Sequence, residues 1–199
     1  MYPDFLLKRI NDFYKNVIEV RKNKKHLVIG KSVQVDSIIL TSNDYLAIAN
    51  HPKILTAQEK EIKNQHNKVI MSAVFMGENT LKGVFEKEMA EYLGYESTVL
   101  CQSGWAANVG LLQAIAEKDI PVYIDFFAHM SLWEGIRVAN AKPVAFLHNN
   151  IAHLEKLLNK NGPGIILIDS LYSTIGDVAP IAQIAELSQQ YSAFLLLMN

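Results

Sequence analysis

One cysteine, Cys101, stands in 199 residues, so no internal disulfide can form and the chain suits a reducing compartment. Cys101 ends an apolar run, and its expected state is a buried, inert thiol. No sign of charge dominates. The chain has 19 Lys and Arg against 20 Asp and Glu, a formal net charge of −1, with a sequence pI near 6.6. That leaves no basic footprint for nucleic acid. No apolar run approaches the ~20 residues that span a bilayer, and the uncharged stretch Cys101–Ala116 is interrupted by Gln102, Asn108 and Gln113. A signal-peptide pattern is missing too, because Asp4, Lys8 and Arg9 break the N-terminal stretch. These absences make a cytoplasmic protein, without membrane or nucleic-acid partners, the expectation. Low-complexity segments and metal-ligand spacings are also lacking. What the chain has is apolar content: 50% hydrophobic residues over this length can bury a sizeable core.

The stretch CQSGWAANVGLLQAIA, Cys101 to Ala116, holds no charge. Thr98-Val99-Leu100 before it has the look of a buried strand. Ser103 sits where a helix N-cap belongs, its hydroxyl able to accept a backbone N–H of the first turn. Gly104, Ala106, Ala107 and Gly110 are small enough to admit another backbone or a flat ligand. Leu111, Leu112 and Ile115 supply an apolar face at helical spacing. A strand, a tight Ser-Gly turn and a helix with a bare N-terminus would make a phosphate site. An ordinary buried helix with a Ser cap explains the same residues.

Residues 4–25 read as an amphipathic helix, with Leu6, Ile10, Phe13, Val17 and Val20 in a 4-3-4-3 spacing. Seven Lys and Arg against three Asp and Glu give this segment a net charge of +4, suiting a membrane-surface helix or the solvated face of a docking helix. Lys31 to Leu40 alternates enough for a strand or hairpin. Asn43 and Asp44 favour a turn. Pro52 to Asn67 is helical with proline at N1, and Met71 to Gly83 is irregular. Beyond this, apolar runs begin near Val99, Val122, Val144, Ile165 and Phe194. Helical patterns lie at Leu81–Leu93, ahead of the first run, then at Gly104–Glu117, Met130–Ala139, Ile151–Lys160 and Ala179–Gln190. Such alternation implies βαβ crossovers and an α/β fold with a mostly parallel sheet. The expected division is 1–50, a small helix and strand segment, and 51–199, part of a larger α/β domain.

Ligands of open α/β sheets bind beyond the carboxyl ends of the strands. The runs are followed in turn by Gln102 and Ser103, by Asp125 and His129, by His148 and Asn149, and by Asp169, Ser170 and Ser173. Polar groups thus gather on one edge. His129 is a histidine able to titrate near neutrality or a plain N-capping residue.

Several segments carry a family resemblance. SGWAAN, Ser103 to Asn108, resembles the Ser-Gly-aromatic-x-Ala-Asn segment of the α-oxoamine synthases. These are pyridoxal-phosphate (PLP) enzymes of the aspartate-aminotransferase fold, fold type I. The runs CQSGWAANVGLLQ and PVYIDFFAHMSLWEG resemble the branch that makes α-hydroxyketone quorum-sensing autoinducers. SNDYL at Ser42, His51-Pro52, and Asp169 to Asp177 (similar to Glu-x-x-x-Ser-Met-x-Gly-Asp) follow in the family's order. The resemblance extends from about Leu40 to Leu197. It implies PLP as cofactor, with Gly104 and Trp105 holding the phosphate through backbone N–H groups. His129 would stack on the ring and Ser173 would contact its ring oxygen; Asn108 matches the motif.

The resemblance also implies an acyl-CoA and an amino acid or S-adenosylmethionine-type amine as substrates, a homodimer, and an N-terminal helix that packs across it. Ala47, Ala73, Lys82, Ala128 and Asp169 depart from the family's usual Gly, Arg, His, Asn and Glu. Ala73 points away from the 8-amino-7-oxononanoate and 2-amino-3-ketobutyrate synthase types, which remain the alternative enzymes. Met198 and Asn199 stand where the family has Asp-Glu. That Asp keeps the pyridine nitrogen protonated, and the Schiff-base Lys would lie further on. The expectation is therefore an N-terminal portion, inactive alone, ending at a break in a longer gene. Codons GAT-GAA read one base later, with T following, would give Met-Asn. A module that binds phosphate or a partner subunit without catalysis is the reading of another class.

Overall fold

The computed structural model describes residues 2–20, 34, 36–38, 42–64 and 72–199. The chain divides into two units, Met1–Ile70 and Met71–Asn199.

In the first unit, α1 (Asp4–Phe13) continues into wider π-type turns at Tyr14–Glu19. The amphipathic helix expected over 4–25 is helical from Asp4 to Val20, with the wider turns in its second half, and residues 21–25 lie outside the described residues. The side chain of Asp44 closes a turn by accepting the N–H groups of Ile48 at 2.9 Å and Ala49 at 3.0 Å. Helix α2 (Pro52–Lys63) starts with Pro52, whose missing N–H costs nothing there. The His51 ring caps it by accepting from Lys53 N–H at 3.3 Å. The strand expected over Lys31–Leu40 falls largely outside the described residues.

The second unit opens with a 3₁₀ turn, Ala73–Phe75, and α3 (Leu81–Leu93). Thr80 caps α3, and Gly94 ends it at φ 73°, a left-handed position that glycine adopts without steric penalty. Then follow α4 (Gly104–Ile115), β1 (Pro121–Asp125), α5 (Met130–Val138), β2 (Lys142–Phe146), α6 (Ile151–Asn161), β3 (Ile165–Asp169), α7 (Ile181–Gln190) and β4 (Phe194–Met198). The sheet order is β2-β1-β3-β4, and every pair is parallel.

Strand alternation sorts the core into two layers. Val122, Ile124, Ile165, Leu167 and Leu196 pack with Leu112 of α4 and with Leu132 and Ile136 of α5. Tyr123, Ile166 and Ile168 pack on the other side with Leu154 and Leu158 of α6 and Ile184 and Leu187 of α7. All five residues of β3 are buried, as a central parallel strand covered on both faces should be.

The run Thr98–Leu100 is no strand. A strand needs a neighbour to exchange hydrogen bonds with, and among the described residues none lies beside it. It is fastened to α3 instead: Thr98 Oγ1 donates to Glu86 O at 2.7 Å, and Leu100 N–H to the Glu86 carboxylate at 2.7 Å. Val99 is 78% exposed. The expectation of a buried thiol falls with the strand, and Cys101 is exposed.

Candidate cofactor site

Helix α4 begins as its sequence dictates. Ser103 Oγ accepts Ala106 N–H at 3.1 Å, and Ser103 O accepts Ala107 N–H at 3.0 Å. No hydrogen bond is made to the N–H groups of Gly104 and Trp105 among the described residues. Two donors and the positive end of a 12-residue helix therefore face outward together. A Cβ added to Gly104 or Gly110 would meet nothing within 4 Å, so neither glycine is where the chain packs tightly. The close approach lies on the next helix. A Cβ on Gly135 would stand 2.6 Å from Leu112 Cδ1 and 3.2 Å from Asn108 O, and its absence lets α5 settle onto α4.

That packing brings His129 beside α4. The rings of Trp105 and His129 lie 6.1 Å apart, edge to face, at 78°. His129 is the N-cap of α5, and its Nδ1 accepts Ser131 N–H at 3.2 Å. Ser131 Oγ, fully buried, lies 2.7 Å from the same Nδ1 and accepts from Asn108 Nδ2 at 2.8 Å. The relay runs from the Asn108 amide through the Ser131 hydroxyl to His129 Nδ1, which places the proton of the neutral ring on Nε2. Asn108 thus orients His129. Its Nδ2 also lies 3.2 Å from Met198 Sδ.

Below His129 lies Asp169, at the end of β3 and 5% exposed. Its carboxylate accepts His129 N–H. Burial raises its pKa above the usual aspartate range, against the lowering effect of that N–H and of the His129 ring. A cleft of about 420 Å³ opens here, lined in part by His129, Trp133, Asp169, Ser173 and Thr174. Ser173 sits on the turn after β3, which Gly176 closes at φ 77° with its N–H on Tyr172 O at 2.7 Å.

Of the five residues singled out in the sequence, Trp105, Asn108 and His129 come together where α4 meets α5, and Gly104 precedes Trp105 at the exposed start of α4. Ser173 shares the cleft with His129. Sequence reasoning missed the relay through Ser131 and the support from Asp169. The signal for Asp169 was its parity: β3 reads Ile165-Ile166-Leu167-Ile168-Asp169, which puts the carboxylate on the α4–α5 face with Ile165 and Leu167.

These residues suit a flat, anionic cofactor such as PLP at two points. Free N–H donors fit a phosphate, and an imidazole beside them fits a ring face. The third point differs, since the position on β4 nearest Asn108 is a thioether rather than a carboxylate.

The family model for aminotransferase class I and II matches residues 35–197. The chain belongs to this family. It is 46% identical over 194 residues to the CAI-1 autoinducer synthase of Vibrio campbellii, covering 98% of this chain and 49% of that protein. With an 8-amino-7-oxononanoate synthase of a Marinomonas species it shares 33% identity over 157 residues, 78% of this chain and 39% of that one. Its fold matches serine palmitoyltransferase from S. paucimobilis, solved with a bound PLP–myriocin aldimine. There the TM-score is 0.79 at 20% identity, over 98% of this chain and 52% of that one. The 8-amino-7-oxononanoate synthase of Francisella tularensis gives a TM-score of 0.66 at 21% identity, over 81% of this chain and 45% of that one. The fold is thus the PLP fold type I, and the family works with PLP. The chain spans about half the length of the curated relatives it matches.

Proposed function

We propose that this chain is the cofactor-cradling part of a PLP-dependent acyl-CoA:amine acyltransferase that makes an α-aminoketone or α-hydroxyketone autoinducer for quorum sensing. The observation that carries the reading is the pair of free N–H groups at Gly104 and Trp105 beside the oriented ring of His129. In it, Gly104 and Trp105 hold the phosphate, His129 covers the ring face, Ser173 meets the ring oxygen and Asn108 fixes the His129 tautomer. When bound, PLP supplies an electron sink for carbanion chemistry. The high identity to an autoinducer synthase supports this branch over the 8-amino-7-oxononanoate type. An acyl-CoA and an amino acid or S-adenosylmethionine-type amine are the proposed substrates. A cytoplasmic homodimer is the proposed setting for the whole enzyme. The cofactor domain is taken to begin at residue 51, after a helix and strand segment.

One observation favours a second, non-catalytic reading for the chain acting alone. Met198 presents a thioether to Asn108, and among the described residues no lysine lines the cleft. The expected result is therefore that PLP binds without forming a Schiff base on one lysine. Adding PLP, reducing with borohydride and mapping the adducts by mass spectrometry tests this. One stoichiometric labelled lysine, or acyl-CoA turnover by the purified chain, would sink the non-catalytic reading. Failure of PLP to perturb Trp105 fluorescence at millimolar concentration would sink the cofactor site itself.

A further inference from the structure

On the opposite face of the sheet from His129 lies a second histidine, which the cofactor site does not use. Asp125 ends β1 in step with Tyr123, so its carboxylate enters the α6–α7 layer and is fully buried. It accepts Phe127 N–H at 2.8 Å on Oδ1 and Asn149 N–H at 2.9 Å on Oδ2. His148 follows β2, and its two ring nitrogens face two different carboxylates. Nδ1 lies 2.9 Å from Asp125 Oδ1, and Nε2 lies 3.3 Å from Asp177 Oδ2. Rings set edge-on, Phe127 at 5.0 Å and Tyr172 at 4.5 Å, leave the imidazole little freedom to turn.

An ionised carboxylate only accepts hydrogen bonds, and a neutral imidazole has one N–H to give. The contact to Asp125 is the shorter, so the Nδ1 proton points to Asp125 and Nε2 faces Asp177. The two are not equal. Asp125 is buried and fixed by backbone donors, whereas the Asp177 side chain is 59% exposed. Of the two sides of the ring, the loop side is the one able to move. That loop runs from Leu171 to Val178, whose single bridge closes it, and it carries Ser173 and Thr174 of the cleft. A second tie runs from Asn149 Nδ2 to Val178 O at 3.2 Å.

We propose that His148 is a positioning residue: its ring, held between Asp125 and Asp177, ties the two and thereby sets the Tyr172–Asp177 turn, and Ser173 with it, against the strand ends. The tie rests on geometry alone; its meaning for the cofactor rests on the proposed role of Ser173. The charged or titratable groups around the ring are few. Asp125 is on β1, and Asp177 and Tyr172 are on the loop. Asp169 on β3 acts on Tyr172. His153 on α6 is engaged through Nδ1 by Leu147 N–H at 3.0 Å. Tyr172 is held neutral by burial and by Asp125, so it adds no charge of its own.

Amide hydrogen exchange on the whole chain, corrected for intrinsic rates, reads the tie directly. In the wild type, residues 173–178 are protected along with β3. In His148→Gln and Asp177→Asn the loop exchanges on the order of ten-fold faster, while β3 stays protected. Asp177 is exposed, so its variant keeps the fold. Loop exchange that follows intrinsic chemistry alone in the wild type, or that is unchanged in Asp177→Asn, overturns the proposal. PLP titration of the same samples separates the two readings. Affinity that falls with loop protection is expected. Affinity indifferent to both variants, with loop exchange still moving, would remove Ser173 from the cofactor site and leave the tie standing.

Discussion

The backbone N–H of His129 donates to the carboxylate of Asp169, 3.1 Å from Oδ2 and 3.3 Å from Oδ1. One group leads into α5 and the other ends β3, so the bond fixes the height of His129 above the sheet. It also leaves a buried carboxylate whose proton is held more tightly in the folded chain than in the unfolded one.

The sign of the pH effect follows from that raised pKa. Stability from Asp169 is fully present below the ordinary aspartate range, and is lost as pH rises through the higher folded value. Asp169→Asn keeps an acceptor for His129 N–H and removes the titration. Relative to this variant, the wild type should lose stability as pH climbs from about 4. Urea midpoints measured in parallel would show it; a constant difference across pH would contradict it.

His129 has two jobs, which substitution can separate. His129→Ala removes both the α5 cap, at a cost of about 0.5–2 kcal/mol, and the ring proposed to face PLP. His129→Asn restores a capping acceptor and not the ring. Expected is near-wild-type thermal stability in the Asn variant with weakened PLP binding in both. Equal PLP affinity in all three proteins would leave His129 with the cap alone.

Gly135→Ala should destabilise the chain by about 1–3 kcal/mol, since the new methyl overlaps Leu112 and crowds Asn108. The strain falls on the contact that carries the relay to His129. Denaturant unfolding measures the loss, and pairing with Leu112→Ala should give a sub-additive result. A neutral Gly135→Ala would mean that α4 and α5 shift apart freely.

Glu86 is held below the usual glutamate range, first by its hydrogen bond from Lys82 and then by Leu100 N–H. Its contribution is therefore present above the ordinary glutamate pKa and is lost as pH falls through the lowered one. Glu86→Gln should speed exchange of the Leu100 amide at neutral pH and leave β1 and β3 untouched. No change at Leu100 would show that the segment before α4 is held by other means.

Periodicity made the helices and four strands readable. Leu81–Leu93 is bounded by Thr80 and Gly94, whose chemistry is local, and those bounds match the sequence pattern. Thr98–Leu100 was not readable, because an apolar run signals a strand only where a neighbour pairs with it. Cys101 followed the same error outward to solvent. The small residues of α4 suggested close packing, but which helix yields a methyl is settled by the crossing partner, here Gly135. The motif residues His129 and Ser173 share one cleft at the edge of the sheet. Their supports, Ser131 and Asp169, act through contacts 23 and 40 residues away in the chain and leave no local pattern.

Asp125 and Asp169 each close a five-residue strand, yet they enter opposite layers. The reason is register: Val122 stands beside Ile165, so β3 carries its carboxylate one step beyond the level of Asp125. Deleting one residue from β3 ahead of Asp169 would turn that carboxylate into the layer of Tyr172, beside a second buried aspartate. His129 would lose its support in the same event. Descendants of this chain can therefore exchange side chains along β1 and β3 far more freely than they can accept an odd-numbered insertion or deletion there. Strand length, rather than any single residue, is what natural variation at this sheet edge must preserve.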